Sequence, residues 1–183
     1  RSHDAASGKL IWSYSGFNPD RRPAWRTIAS PVISQGIILV PYGRGQYMAG
    51  MKTGGKGNMT EKEFLWQVRG IGTDVATPVI SNGKVYILGF NGTIWCLDIL
   101  TGKEIWQAAL PTGKGVFYSS PTLAGDKLYI CSDEGAFYVC GISPTGIQIL
   151  NQTKFEDYFV ATPVLVRDRI LLRGTKYLYC IGK

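Results

Sequence analysis

Short apolar runs broken by Gly-, Asn- and Asp-containing turns fill this chain from end to end. One arrangement recurs. A small hydroxyl residue, a Pro, and an apolar residue or Thr appear as Ser30-Pro31-Val32, Thr77-Pro78-Val79, Ser120-Pro121-Thr122 and Thr162-Pro163-Val164, spaced 42–47 residues apart. Each triplet leads into a turn and a second apolar run. The turns are Gln35-Gly36, Asn82-Gly83, Gly125-Asp126 and Arg167-Asp168, and the runs are 37–40, 85–88, 128–131 and 170–172. Asn-Gly between apolar runs is a strong hairpin signal, because both turn positions need positive φ. A second turn (Asn91-Gly92, Glu134-Gly135, Gly174-Thr175) opens a third run. A Ser/Thr-Gly turn (Ser7-Gly8, Thr101-Gly102, Thr145-Gly146) opens a fourth, with Trp12, Trp106 and Leu150 at one shared position. The first full unit carries an insertion there, and its Trp66 takes that position.

Each unit therefore reads as four short antiparallel strands, A to D. No segment shows a 3.6-residue period with helix caps. Four strands every ~40–45 residues mark a β-propeller blade, of the WD40-like kind. A twisted sheet buries both faces only when neighbouring sheets stack on it. The fold class is all-β: four blades in residues 1–183, with A strands starting near 28, 75, 118 and 160. An N-terminal strand at 9–14 is expected to complete the last blade, which would leave no open edge. The ring then has four blades, or the chain is half of an eight-blade ring, cut from a longer protein or completed by a second copy through self-association.

Composition agrees. Gly is 23 of 183 residues and aromatics 12%, while charged residues are 18%; the usual shares are about 7% Gly and 25% charged. Apolar content of 45% excludes intrinsic disorder, and no apolar run is long enough for a transmembrane segment. The single His, His3, argues against zinc or haem chemistry. The chain begins at Arg1, which reads as a processed or truncated start, and no signal peptide is visible.

The run Cys96-Leu97-Asp98-Ile99-Leu100-Thr101-Gly102-Lys103-Glu104-Ile105-Trp106 closely resembles the repeat of the pyrroloquinoline-quinone-like (quinoprotein-type) β-propeller family. The pattern returns in Asp4–Trp12 and, faded, in Gly141–Leu150. The resemblance covers essentially the whole chain. It implies a propeller in which Trp12, Trp66 and Trp106 dock blades together. The family holds quinone-dependent alcohol and sugar dehydrogenases, an outer-membrane assembly lipoprotein and many exported bacterial proteins, so fold alone does not assign function. Dehydrogenases of the family cap their quinone with an adjacent cysteine pair, which this chain lacks. A carboxylate and amide cluster for calcium has no clear match either. Neither PQQ nor Ca²⁺ is expected here.

The remaining motifs are weak. Gly50–Gly57 fits part of a phosphate loop but lacks the following Ser/Thr and a helix, and reads as an inserted turn. Asn58, Asn91 and Asn151 begin glycosylation sequons that fit turns equally well. Cys96, Cys140 and Cys180 share one strand-C column in three blades, too far apart for disulfides, and read with Cys131 as small buried residues. The net charge is +7, with basic clusters at Arg21, Arg22 and Arg26 and at Arg167, Arg169, Arg173 and Lys176. Basic and aromatic residues do not interleave along one strand face, so a solvated surface is expected and no nucleic acid partner. A hydrolase lacks paired carboxylates and a His at a site.

A site is expected at the end of the ring that carries the D–A and B–C loops. There Trp25, Arg26, Tyr42, Arg44, Asp74, Tyr118 and Tyr158 combine aromatic faces with charges, a composition suited to recognition. The function expected is non-catalytic: a periplasmic or extracellular scaffold binding a protein or glycan partner. The alternative is part of a quinone-dependent dehydrogenase whose cofactor site lies in other blades.

Overall fold

A computed structural model describes residues 1–18, 21–111, 113 and 115–182. It opens with a hairpin of β1 (Ser2–His3) and β2 (Leu10–Ser13). Blade 1 is β3 (Val32–Ser34), β4 (Ile37–Tyr42), β5 (Tyr47–Lys52) and β7 (Phe64–Arg69), with β6 (Gly57–Asn58) in the inserted C–D connection. Blade 2 is β8 (Val79–Ser81), β9 (Lys84–Leu88), β10 (Thr93–Asp98) and β11 (Glu104–Ala109). Blade 3 is β12 (Thr122–Ala124), β13 (Lys127–Cys131), β14 (Ala136–Ser143) and β15 (Gly146–Lys154). Blade 4 has three strands among the described residues: β16 (Val164–Val166), β17 (Arg169–Arg173) and β18 (Leu178–Gly182). Strand order within each blade follows the chain, as in a propeller.

The core lies between blades. Leu39, Met48 and Trp66 of blade 1 share a cluster with Val85, Ile87 and Leu97 of blade 2. Tyr86, Cys96 and Trp106 meet Leu128, Ile130 and Cys140 of blade 3. Cys131 and Phe137 meet Phe159 and Leu172 of blade 4.

A hydrogen-bond ladder joins the inner strands and explains the hydroxyl-Pro motif. The Ser30 amide donates to Thr77 Oγ1 at 3.1 Å, Thr77 to Ser120 Oγ at 2.9 Å, and Ser120 to Thr162 Oγ1 at 3.3 Å. The same ladder corrects the inner-strand starts, which fall four residues after the expected 28, 75, 118 and 160. Residues ahead of each Pro are spent on the neighbouring blade, and Pro has no N–H for its own sheet.

The Asp-x-x-Thr-Gly-Lys turn is a hydrogen-bonded unit. Asp98 Oδ1 accepts from the Thr101 amide and hydroxyl at 2.8 and 2.7 Å, and the Asp98 amide donates to Lys103 O at 2.9 Å. Gly102 has φ +67, and a side chain there would strike the Trp66 ring. Trp66 Nε1 donates to Ile99 O at 2.8 Å, so blade 1 docks through this turn onto blade 2. Blade 3 replaces the turn by the tighter Ser143–Gly146 connection, and the buried Trp106 Nε1 has no partner among the described residues. The expected cysteine column is corrected in one blade: Cys96 and Cys180 stand in register with the residue after the inner Pro, but in blade 3 that position is Val139, and Cys140 lies on the opposite face of the sheet. Cys96 lies opposite Trp106, and in blade 1 the column holds Gly50, which the Trp66 ring overlies too closely for any Cβ. Cys96, Cys131 and Cys140 are buried free thiols that burial pushes up to about 11, 12 and 11. Cys180 is free but exposed, contrary to expectation, because no D strand among the described residues covers it.

The expected completion of blade 4 by residues 9–14 is also corrected. Leu10–Ser13 pairs with Ser2–His3 on one side and, in parallel, with Gly57–Asn58 on the other. Its turn repeats the blade motif: Asp4 Oδ1 accepts from the Ser7 amide and hydroxyl, and the Asp4 amide donates to Lys9 O. Residues 2–13 are thus a C–D hairpin in its own right. Its Trp12 docks beside Ile38, Met51 and Met59 of blade 1, the same role Trp66 has one blade on. Leu150, expected at the equivalent position of blade 3, does not take it: Val139, the counterpart of Cys96, pairs with Asn151, and Leu150 lies exposed in the bulge beside it.

Replacing Trp66 by Ala should lower the unfolding free energy by ~3–5 kcal/mol, since it empties a close-packed inter-blade site. Leu150→Ala should cost within ~0.5 kcal/mol, as for other surface changes. Urea titration of both variants checks this; equal losses would refute the docking assignment.

Candidate functional site

The D–A and B–C connections gather at one end of the blades, and backbone bonds tie each to its neighbours. Arg44 N donates to Arg26 O at 3.2 Å and Ala29 N to Asp74 O at 3.3 Å. Phe117 N bonds Phe90 O, and Phe159 N bonds Asp133 O. Pro19 and Asp20 of the first connection lie outside the described residues.

Two groups of the expected rim residues come together at blade 1. Arg26 forks onto Asp74, with Nε to Oδ1 at 3.2 Å and NH2 to Oδ2 at 2.5 Å. The hydrogen bond and charge of Asp74 push the Arg26 guanidinium further up, and Tyr118 adds a smaller push. This planar pair fixes the first connection against the next. Arg44, exposed at φ +56, is linked to the pair through the Arg26 carbonyl.

Trp25 forms the second group with Tyr47 and Tyr42. Its Nε1 donates to Phe17 O at 2.5 Å, and its ring lies 5.8 Å from Tyr47. Tyr42 stacks on Tyr47 at 5.0 Å and contacts Phe17 at 4.8 Å. Arg22 lies over the Trp25 ring and Arg69 over Tyr47. Tyr42 is only 3% exposed and its hydroxyl meets Gln67, so it supports the surface instead of contacting a partner. That corrects its assignment to the rim. Burial of the phenol is unreadable from a turn-flanking Tyr, because Phe17 covers it from 25 residues away.

Tyr118 and Tyr158 stand apart from this patch. Tyr118 packs edge-on against Phe90 at 5.3 Å, between blades 2 and 3. Tyr158 is 58% exposed beside a shallow depression with Glu134, Lys154 and Lys176. Its neighbour Asp157 is a residue that sequence reasoning missed. Asp157 is 4% exposed. It accepts from the amides of Tyr158, Thr175, Lys176 and Tyr177, from Thr175 Oγ1 and from the Tyr179 hydroxyl. Burial alone would raise its carboxyl. The bonds from Thr175, Tyr158, Lys176 and Tyr179 outweigh burial and hold it well below the usual range. Its only sequence signal is its place in a D–A loop facing a Gly-Thr turn.

No group of three or more His, Cys, Asp or Glu among the described residues is placed to hold a metal ion. The cysteines lie singly, on separate strands or facing separate clusters.

Over residues 1–181 the chain matches the family described as outer membrane protein assembly factor BamB. It is 22% identical over 175 residues to the outer membrane protein assembly factor BamB of Kangiella koreensis, covering 94% of this chain and 42% of that protein. Its fold is similar to that of BamB from Moraxella catarrhalis (TM-score 0.69, 18% identity, 96% of this chain and 50% of that one). It is also similar to the computationally designed Ika4 protein (TM-score 0.70, 14% identity, 96% and 98%). The chain spans about half the length of the curated relatives it matches.

Because the folded chain holds Asp157 ionised more readily than the unfolded chain, its stabilisation is complete above the unfolded value of about 4. It is lost as pH falls through the folded value. Asp157→Asn should therefore lower Tm by several degrees at neutral pH, and the gap to wild type should narrow below about pH 4. Thermal unfolding across a pH series checks this; a gap independent of pH would show that shape, not charge, matters there.

Proposed function

Since the chain belongs to the BamB-like family of pyrroloquinoline-quinone-like β-propellers, we propose that it is a non-catalytic scaffold that binds a protein partner in outer-membrane protein assembly. The observation that carries this reading is the family match over residues 1–181. We place the working protein in the periplasm of a bacterium, in keeping with the assembly role in its relatives' names. No helix among the described residues is long and apolar enough to cross a membrane.

The rim around Trp25, Arg26 and Arg44 is the proposed contact surface. Its aromatic faces are held rigid by stacking on buried Tyr42, so little side-chain entropy is lost on binding. The flanking Arg22, Arg44 and Arg69 favour a partner with acidic or aromatic side chains. Asp74 acts from beneath by fixing Arg26. Tyr118 and Tyr158 extend the surface across blades 2 to 4.

We further propose that the chain works without quinone or calcium. The dehydrogenase alternative gains nothing from the residues present: the sequence has no adjacent cysteine pair, and the described residues hold no carboxylate cluster.

Binding to purified β-barrel assembly machinery stripped of its own propeller subunit tests the reading. Wild type should bind. Trp25→Ala and Arg44→Ala should each weaken binding about tenfold, or ~1.4 kcal/mol, while remaining folded. Full affinity in both variants would remove the rim from the contact, and no binding by wild type would overturn the scaffold reading. Added quinone with Ca²⁺ should leave Tm unchanged; a clear upward shift would restore the dehydrogenase alternative.

A further inference from the structure

Because the blades repeat, what closes one junction and not the next is directly comparable. Between blades 1 and 2, the end that carries the A–B and C–D turns is sealed. Trp66 Nε1 donates to Ile99 O, Ile99 is fully buried, and Gln35 reaches across to Gly83 of the next A–B turn. Between blades 2 and 3 the same parts are altered. Ile142 takes the place of Ile99, its amide bonding Asp126 O as that of Ile99 bonds Gly83 O. The shorter Ser143–Gly146 connection leaves Ile142 only half-buried and the Trp106 Nε1 without a partner among the described residues. Asn82, one methylene shorter than Gln35 at the same turn position, leaves Gly125 facing open space.

A cavity of ≈490 Å³ lies there, lined by Ser81, Asn82, Tyr86, Leu123, Asp126 and Ile142. Tyr86 is its buried wall. It is 5% exposed and its ring packs 6.0 Å from that of Trp106. Its hydroxyl bonds no described group and opens into the cavity. A buried phenol ordinarily has a partner, since an unmet hydroxyl costs stability. The same register position in blade 1 holds Leu39, which needs none. The side chains of Ser81 and Asn82 also bond nothing among the described residues, and Asp126 is paired with Lys127 at 2.8 Å. The cavity thus offers uncharged hydrogen-bonding groups beside the apolar Leu123 and Ile142. Blades 2 and 3 each have a described blade on both sides, so this junction is complete.

We propose that the cavity receives a reverse turn of a protein partner, with the Tyr86 hydroxyl donating to one of its peptide carbonyls. The repeat itself specifies a polypeptide turn. At the preceding junction the corresponding space is filled by the chain's own Asp98–Gly102 turn, whose Ile99 carbonyl accepts from an aromatic donor. Charge complementarity agrees: the paired rim suits a neutral ligand, and a peptide group brings an acceptor with no charge to desolvate. The cavity lies at the end opposite Trp25, Arg26 and Arg44, so one chain holds two polypeptide segments at once. The inference rests on the protein-partner reading above and adds where, and by which group, the second segment is held.

The same assembly machinery, stripped of its own propeller subunit, is the probe. Tyr86→Phe removes only the hydroxyl, so affinity should fall about three- to tenfold. Its Tm should equal or exceed that of wild type, because the hydroxyl bonds nothing in the fold. Asn82→Gln restores the residue that blade 1 tolerates at the same positive φ, and should weaken binding by covering the mouth. A benzophenone amino acid in place of the exposed Asp126 should photo-crosslink to a turn of the bound partner, mapped by mass spectrometry. Full affinity in both Tyr86→Phe and Asn82→Gln, with wild type bound, overturns the cavity site and leaves the scaffold reading standing. A crosslink that maps to no turn, or a Tyr86→Phe variant whose Tm falls by several degrees, overturns it too. No binding by wild type removes the scaffold reading and this inference with it.

Discussion

Every sheet in this protein has two apolar faces, and neither can be left in water. That constraint organises the rest. A four-stranded twisted sheet of short strands has no helix to cover it, so each blade uses its neighbour. The clusters accordingly lie between blades, each drawing on the two sheets that flank it. The ladder of Ser30, Thr77, Ser120 and Thr162 sets the inner spacing, and Trp66 over Gly102 sets the outer one. Between these two fasteners the wedge angle of neighbouring blades is fixed.

The same constraint shapes the candidate site. Loops at one end are tied to adjacent blades by backbone bonds and by the Arg26–Asp74 fork, so they present side chains from a rigid base. Asp157 does for blade 4 what the Asp98 turn motif does on the opposite end of blade 2: one carboxylate gathers several donors of a turn that no regular ladder would satisfy.

The repeat motifs were legible because their causes are local. Asn82-Gly83 and Asn91-Gly92 make turns by their own φ preferences, and Asp98 and Thr101 close a turn within six residues. Trp66 and Trp106 were recognisable as docking residues from their position after the Gly. Tyr42 was misread because the ring that buries it comes from a distant segment, and Asp157 was passed over because all but one of its donors lie 18 to 22 residues away. The hydroxyl-Pro motif was visible, but its purpose was not, since each bond spans a whole blade.

The amino-acid sequence by itself determined the blade: four strands, their turns, the small residues beneath each Trp, and the family these patterns mark. Only the tertiary structure decided how the blades end. Whether residues 9–14 complete blade 4 or belong to a hairpin of their own depends on an angle accumulated over successive sheet-to-sheet contacts. No single strand or turn carries that angle, because it arises from the summed shapes of side chains packed between blades.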